Sequence, residues 1–178
     1  MTATVLERIN GRHASNDRLL FPLMDQGGEH VGYQQIKTDG SNAKRFFLRA
    51  SGLLAGSSAR ISATGTDTSR TTVICEGIMT ALAVARVWDG PVIAALTANN
   101  LRNVRSQIAG PVVIARDDDQ WKPSVGNTGK TASEAVRQPG DRIVAPQFRA
   151  CSLAFSPTDF NDLLALEGPA AVKACFDG

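Results

Sequence analysis

Two short β-branched runs, each ending on carboxylates, constrain this chain more than anything else in it. Thr71-Thr72-Val73-Ile74-Cys75 runs into Glu76-Gly77, and Pro111-Val112-Val113-Ile114-Ala115-Arg116 runs into Asp117-Asp118-Asp119. Between them lie an amphipathic stretch, a third apolar run (Pro91 to Leu96) and a second helical stretch. The order β-α-β-α-β calls for a parallel sheet with helices packed on its faces. Such sheets bind ligands beyond the carboxyl ends of their strands, so Glu76, Asp117 and Asp119 are expected to converge. Carboxylates gathered at one edge repel one another unless a hard cation bridges them, which predicts Mg²⁺ or Mn²⁺. Asp118, between the two, is expected to point the other way.

Upstream, the apolar run Arg18 to Leu23 is closed by Asp25-Gln26-Gly27-Gly28, a turn signal. His30 to Ile36 alternates and predicts a hairpin partner. A turn at Thr38 to Asn42 leads into a third strand, Ala43 to Arg49, with a basic start. Residues 1–18 are polar, with a helix expected around Thr4 to Asn10. Residues 50–70 are rich in Ser, Gly, Ala and Thr and read as a linker, with a short strand near Ala59-Arg60-Ile61. The chain therefore divides into a β-rich extension, residues 1–70, and an α/β domain, residues 71–178.

Within the second part a helix is expected from Gly77 to Trp88, with Ile78, Met79, Leu82 and Ala85 toward the sheet and Asp89-Gly90-Pro91 ending it. Asn100 is the expected N-cap of a helix from Leu101 to Ile108. Arg102 and Arg105 on that helix read as solvated side chains. After Asp119 a polar, glycine-bearing loop leads into a helix from Thr131 to Arg137, an arrangement suited to anions. Asn127, Gly129 and Lys130 are the phosphate candidates there. Gly126 to Thr131 lacks the first glycine of a P-loop at the required spacing, which argues against an ATPase. Asp141 to Pro146 reads as a fourth parallel strand. The last helix runs from Asp159 to Phe176 with an interruption at Gly168-Pro169, and Asp159 reads as its cap rather than as a metal ligand.

A strand ending in Glu-Gly, a helix, a second strand and a later strand ending in Asp-x-Asp together resemble the Toprim domain of bacterial-type primases, topoisomerases and some nucleases. The residues that carry the resemblance are Glu76 to Leu82, Ala98 to Leu101, Ala115 to Asp119, Asn127 to Gly129 and Asp159 to Leu163. They are more similar to the Toprim domains of plasmid and phage primases and primase-helicases. The resemblance implies a Rossmann-like parallel sheet and Glu76, Asp117 and Asp119 as catalytic and metal-holding residues. It also implies a hairpin-rich segment that helps hold the template, here through Lys44, Arg45 and Arg49; the same cations serve equally well as a solvated face. The activity implied is divalent-metal-dependent synthesis of RNA primers on single-stranded DNA from ribonucleoside triphosphates, in replication of plasmids, phages or other mobile elements. Such primases work with a zinc-binding module and often a helicase, which separate partners or a longer polypeptide would supply.

Composition restricts these expectations. The formal net charge is only +2, so overall charge does not announce a nucleic-acid binder. Its distribution is uneven: residues 1–70 hold nine Lys/Arg against six Asp/Glu, the remainder ten against eleven. Three scattered cysteines, no Cys-x-x-Cys and two histidines argue against a structural zinc site. The opening residues carry no secretory signal and no apolar run reaches membrane-spanning length, so a cytoplasmic protein without membrane contact is expected. Two alternatives use the same residues: a Toprim nuclease with the same carboxylates, and a non-catalytic Toprim module docked in a replication or mobile-element complex.

Overall fold

A computed structural model describes residues 18–37, 39, 41, 43–50, 52–61, 66–121 and 128–177. The helix expected around Thr4 to Asn10 and the phosphate candidate Asn127 lie outside them. The chain falls into two compact units, Met1–Ala59 and Arg60–Gly178.

In the first unit β1 (Arg18–Met24), β2 (His30–Lys37) and β3 (Lys44–Leu48) form an antiparallel meander in the order β1-β2-β3. The β1–β2 turn closes through the Asp25 side chain, whose Oδ1 accepts from the Glu29 amide at 2.9 Å. Gly28 occupies the left-handed region there, with φ 83°, which an L side chain rarely adopts. Alternation sets the two faces of the sheet: Gln34 and Ile36 are buried with Phe21 and Leu23. Tyr33, Gln35 and Lys37 point the other way.

The second unit is built on a five-stranded sheet of order β4-β6-β5-β7-β8. The strands are β4 (Ala59–Arg60), β5 (Val73–Cys75), β6 (Val92–Ala94), β7 (Val113–Ala115) and β8 (Arg142–Val144). β5 pairs in parallel with β6 and β7, and β7 with β8. The expected mixed architecture, a mostly parallel sheet with helices and an antiparallel β extension, is the one observed. Helices α1 (Ile78–Val84), α2 (Leu101–Arg105), α3 (Thr128–Val136), α4 (Phe160–Glu167) and α5 (Pro169–Ala174) complete it.

The sheet is apolar on both faces because helices cover both. Ile74 aligns with Ile93 and Ile114, and Ile114 with Ile143. These isoleucines pack with Leu101 and Val104 of α2 and with Ala132 and Val136 of α3. The alternate residues Val73, Cys75, Val92, Ala94, Val113 and Ala115 belong to the opposite face. On that side α1 packs against α4 and α5, and Phe160 meets Phe176 at 5.5 Å between ring centroids.

Three local expectations are corrected. α1 ends at Val84, and its buried residues are Ile78, Thr80, Ala81, Ala83 and Val84, whereas Leu82, Met79 and Ala85 are only half-buried. Asn100 makes no side-chain cap on α2. Instead Thr97 caps a preceding 3-10 turn, and the buried Asn100 amide donates to the Ala95 carbonyl at 2.8 Å. Arg105 is not solvated: it is 2% exposed and its guanidinium donates to both carboxylate oxygens of buried Asp141 at 2.8 Å. Asp159 caps α4 as expected, its Oδ1 accepting from the Asp162 amide at 2.8 Å.

Candidate active site

The register of the sheet builds the site. Cys75 of β5 aligns with Ala115 of β7, so the chain leaves both neighbouring strands at the same level. Glu76 follows one strand, and Arg116 through Asp119 follow the other. Asp117 is the focus. Thr80 Oγ1, reaching across from the first turn of α1, donates to Asp117 Oδ1 at 2.9 Å. Burial and the negative charges of Glu76, Asp159 and Asp119 push the Asp117 carboxyl up to about 7, with the Thr80 hydrogen bond opposing them. Burial, then the charge on Asp117, raises the Cys75 thiol well above its ordinary range. The edge is thus a place where negative charge is crowded and poorly hydrated.

Asp118 has a different environment. Its Oδ1 lies 3.1 Å from Arg116 Nη1, and its amide donates to the Thr158 carbonyl at 2.6 Å. Its carboxylate is thereby tied to a cation on its own strand exit, while Asp119, at 8% exposure, is buried. Beyond them Gly129, in the first turn of α3, packs on the Asp117 peptide. A Cβ at that position would stand 2.5 Å from the Asp117 carbonyl oxygen. The helix amino terminus therefore approaches the acidic strand exit closely because residue 129 has no side chain. Lys130 follows it on the exposed surface.

The expected residues are therefore distributed as follows. Glu76 and Asp119 each act on Asp117 by charge, Gly129 packs on the Asp117 peptide, and Lys130 is one residue further along α3. Among the described residues no group of three or more His, Cys, Asp or Glu has the geometry to hold a metal ion. In the first unit Arg45 pairs with Gln35 and Lys44 with Ile36. Alternation then puts Arg45 and Arg49 on the face of Tyr33 and Phe47, and Lys44 on the opposite one. Arg49 Nη1 also donates to the His30 carbonyl at 3.0 Å. Thr80 is not singled out by residue type and is recognisable only as the residue one helical turn beyond Glu76; Asp159, expected as a cap, also acts on Asp117 by charge.

An open, mostly parallel sheet with carboxylates at adjoining strand exits defines a Rossmann-like α/β domain. Residues 71–170, more than half of the chain, match the Toprim domain, and the chain belongs to that family. No curated protein sequence matches it. Solved structures share the fold at low identity. The DnaG primase catalytic domain bound to ssDNA has TM-score 0.56 and 16% identity, with 90% of this chain and 51% of that chain covered. A DNA primase domain from Pseudomonas aeruginosa has TM-score 0.53 and 16% identity, with coverage of 90% and 50%. The Aquifex aeolicus primase, with zinc-binding and RNA polymerase domains, has TM-score 0.56 and 17% identity, with coverage of 99% and 44%. The chain thus spans about half the length of the primase chains it resembles. No helix among the described residues is long and apolar enough to cross a membrane.

Proposed function

We propose that the chain is the catalytic domain of a primase-type nucleotidyltransferase, joining ribonucleotides on a single-stranded DNA template. The observation that carries this reading is the environment of Asp117, a carboxylate held near Glu76, Asp119 and Asp159 with its proton affinity pushed up to about 7. Hard oxygen donors are the type Mg²⁺ or Mn²⁺ takes, and Mg²⁺ sites commonly use one or two carboxylates completed by water and substrate phosphates rather than a cage of three or more protein ligands. Asp117 and Asp119 are the proposed holders of the cation, with Glu76 beside them. When bound, the cation supplies electrostatic stabilisation of charge developing on a transferred phosphoryl group.

The remaining work falls to side chains. Glu76 would take the proton of the attacking 3′-hydroxyl, whose oxygen bonds to the α-phosphorus of the incoming triphosphate as the α–β bond breaks and pyrophosphate leaves. Thr80 orients Asp117, Gly129 lets the start of α3 approach the phosphates, and Lys130 contacts the triphosphate. The template lies against the first unit, where Arg45 and Arg49 share a face with Tyr33 and Phe47. Likeness in fold to primase catalytic cores supports polymerisation over hydrolysis, although the carboxylates would serve either nucleophile. A zinc-binding or helicase module would come from a separate partner or a longer polypeptide, and replication of a plasmid, phage or other mobile element is the proposed setting.

Calorimetry with Mg²⁺ and Mn²⁺ tests the site, using the native chain and the double variant Asp117→Asn/Asp119→Asn. Binding that the double variant abolishes is expected. Equal binding by both proteins, or none by either, would remove the catalytic reading and leave a non-catalytic Toprim module. Product analysis on a single-stranded template then separates extended oligoribonucleotides, the expected result, from shortened strands, the mark of a nuclease.

A further inference from the structure

The chain beyond the carboxyl ends of β7 and β8 carries two large aromatic side chains that packing leaves partly or mostly exposed. Trp121, two residues beyond Asp119, is 41% exposed, and Phe155 is 72% exposed. The two tryptophans of the chain make a useful contrast. Trp88 donates to the Thr71 carbonyl, and its ring lies 5.7 Å from Phe176 and under the Arg70 guanidinium at 4.8 Å. Trp121 is also anchored by its indole nitrogen, which donates to the Pro157 carbonyl at 2.9 Å, yet much of its ring stays in water.

The segment that Trp121 grips is fixed to the acidic strand exit. The Asp118 amide donates to Thr158 at 2.6 Å, next to Pro157. Asp159, one residue later, acts on Asp117 by charge. Phe155 leaves the same segment two residues before Pro157. The residue between them, Ser156, is left-handed with φ 50° and ψ 48°, a conformation uncommon for a residue other than glycine. Both aromatics are therefore displayed by backbone that is tied down within a few residues of the carboxylates.

We propose that Trp121 is a stacking platform for a nucleobase whose phosphates face the cation that Asp117 and Asp119 would hold. This rests on the phosphate-handling reading of the site. Every base has a π-face, so stacking gives affinity without sequence preference, as a site that must accept several bases requires. An indole already fixed through its nitrogen loses little further freedom when a base settles on it. The base belongs either to the incoming nucleoside triphosphate or to a nucleic-acid strand.

The test uses the full chain with saturating Mn²⁺ and three probes: a non-hydrolysable nucleoside triphosphate, inorganic tripolyphosphate and a short single-stranded oligonucleotide. Trp121→Ala is expected to weaken a base-bearing probe about tenfold, within the range for base–aromatic stacking, and to leave tripolyphosphate binding unchanged. Trp121→Phe restores most of the affinity. Nucleobase binding should quench indole emission in the native chain but not in Trp121→Phe, where Trp88 is the remaining tryptophan. Whichever base-bearing probe responds identifies the source of the base. Unaltered affinity of Trp121→Ala for both would overturn the platform while leaving the phosphate site standing. Failure of tripolyphosphate to bind the native chain would instead remove the underlying site, and the platform with it.

Discussion

Asp117 shows how a residue acquires its chemistry from surroundings rather than from identity. Its folded proton affinity, about 7, stands above the ordinary carboxylate value of 3.8 because of burial and the neighbouring negative charges. A raised carboxylate contributes stability that is fully present below the ordinary value and lost as pH rises through about 7. The cation-free protein should therefore lose thermal stability across that window, and added Mn²⁺ should recover it at the alkaline end. Proton and cation compete for the same oxygens, so Mn²⁺ affinity should climb with pH and level off above about 7, as calorimetry at several pH values would reveal. Thr80→Val removes the one hydrogen bond that lowers this carboxyl. It should move the rise in Mn²⁺ affinity to higher pH while leaving the fold intact, since valine preserves the volume of a side chain 1% exposed.

At the scale of elements, two contacts fix helices to the sheet, one at the acidic carboxyl edge and one at the amino ends of β7 and β8. Gly129 allows α3 to sit on the Asp117 peptide, and Gly129→Ala would drive a methyl to 2.5 Å from a backbone oxygen. Backbone must then move, at a cost of about 1–3 kcal/mol by analogy with overpacked cores. A lowered urea midpoint together with weakened Mn²⁺ binding is the expected result.

The second contact is the Arg105–Asp141 pair, which ties α2 to the segment before β8. Burial alone would raise the Asp141 carboxyl. Hydrogen bonds from Arg105 and from the Gln138 and Val112 amides outweigh it and hold the group below its ordinary value. A depressed carboxylate stabilises above its unfolded value, and that stability is lost as pH falls through the folded one. Arg105→Met leaves the buried carboxylate without its cation and should cost roughly 3–5 kcal/mol in urea denaturation. Adding Asp141→Leu should recover only part of this, because the two amides then lose their acceptor.

For the whole molecule, the two compact units divide the proposed labour. Glu76, Asp117, Asp119 and Lys130 all belong to the unit Arg60–Gly178, whereas Arg45 and Arg49 belong to Met1–Ala59. A fragment of residues 60–178 should bind Mn²⁺ with the affinity of the full chain and bind single-stranded DNA more weakly. Titrations of both proteins at matched salt would check this, because the proposed phosphate contacts of Arg45 and Arg49 would weaken steeply with ionic strength.

The strand and helix order, the antiparallel meander and the carboxylates at strand exits were legible in the chain itself. Each is a local pattern: period-2 alternation, β-branched runs and turn residues act over a few neighbours. The parallel-sheet pattern already carried the expectation that Glu76, Asp117 and Asp119 converge, and the Toprim resemblance agreed with it. Long-range relations were not legible. Leu82 and Ala85 have the spacing of a core face, yet α1 buries Thr80 and Ala83 because small residues let it pack closely and let a hydroxyl reach Asp117. Arg105 has the composition of a surface position, and only the approach of Asp141 from 36 residues away makes its burial tolerable. Asp159 reads as a cap and is one, but its second effect, on Asp117, comes from a long-range approach in which the neighbouring Thr158 carbonyl accepts from the Asp118 amide. Local propensity determined the elements; the environment that tunes each charge came from contacts between them.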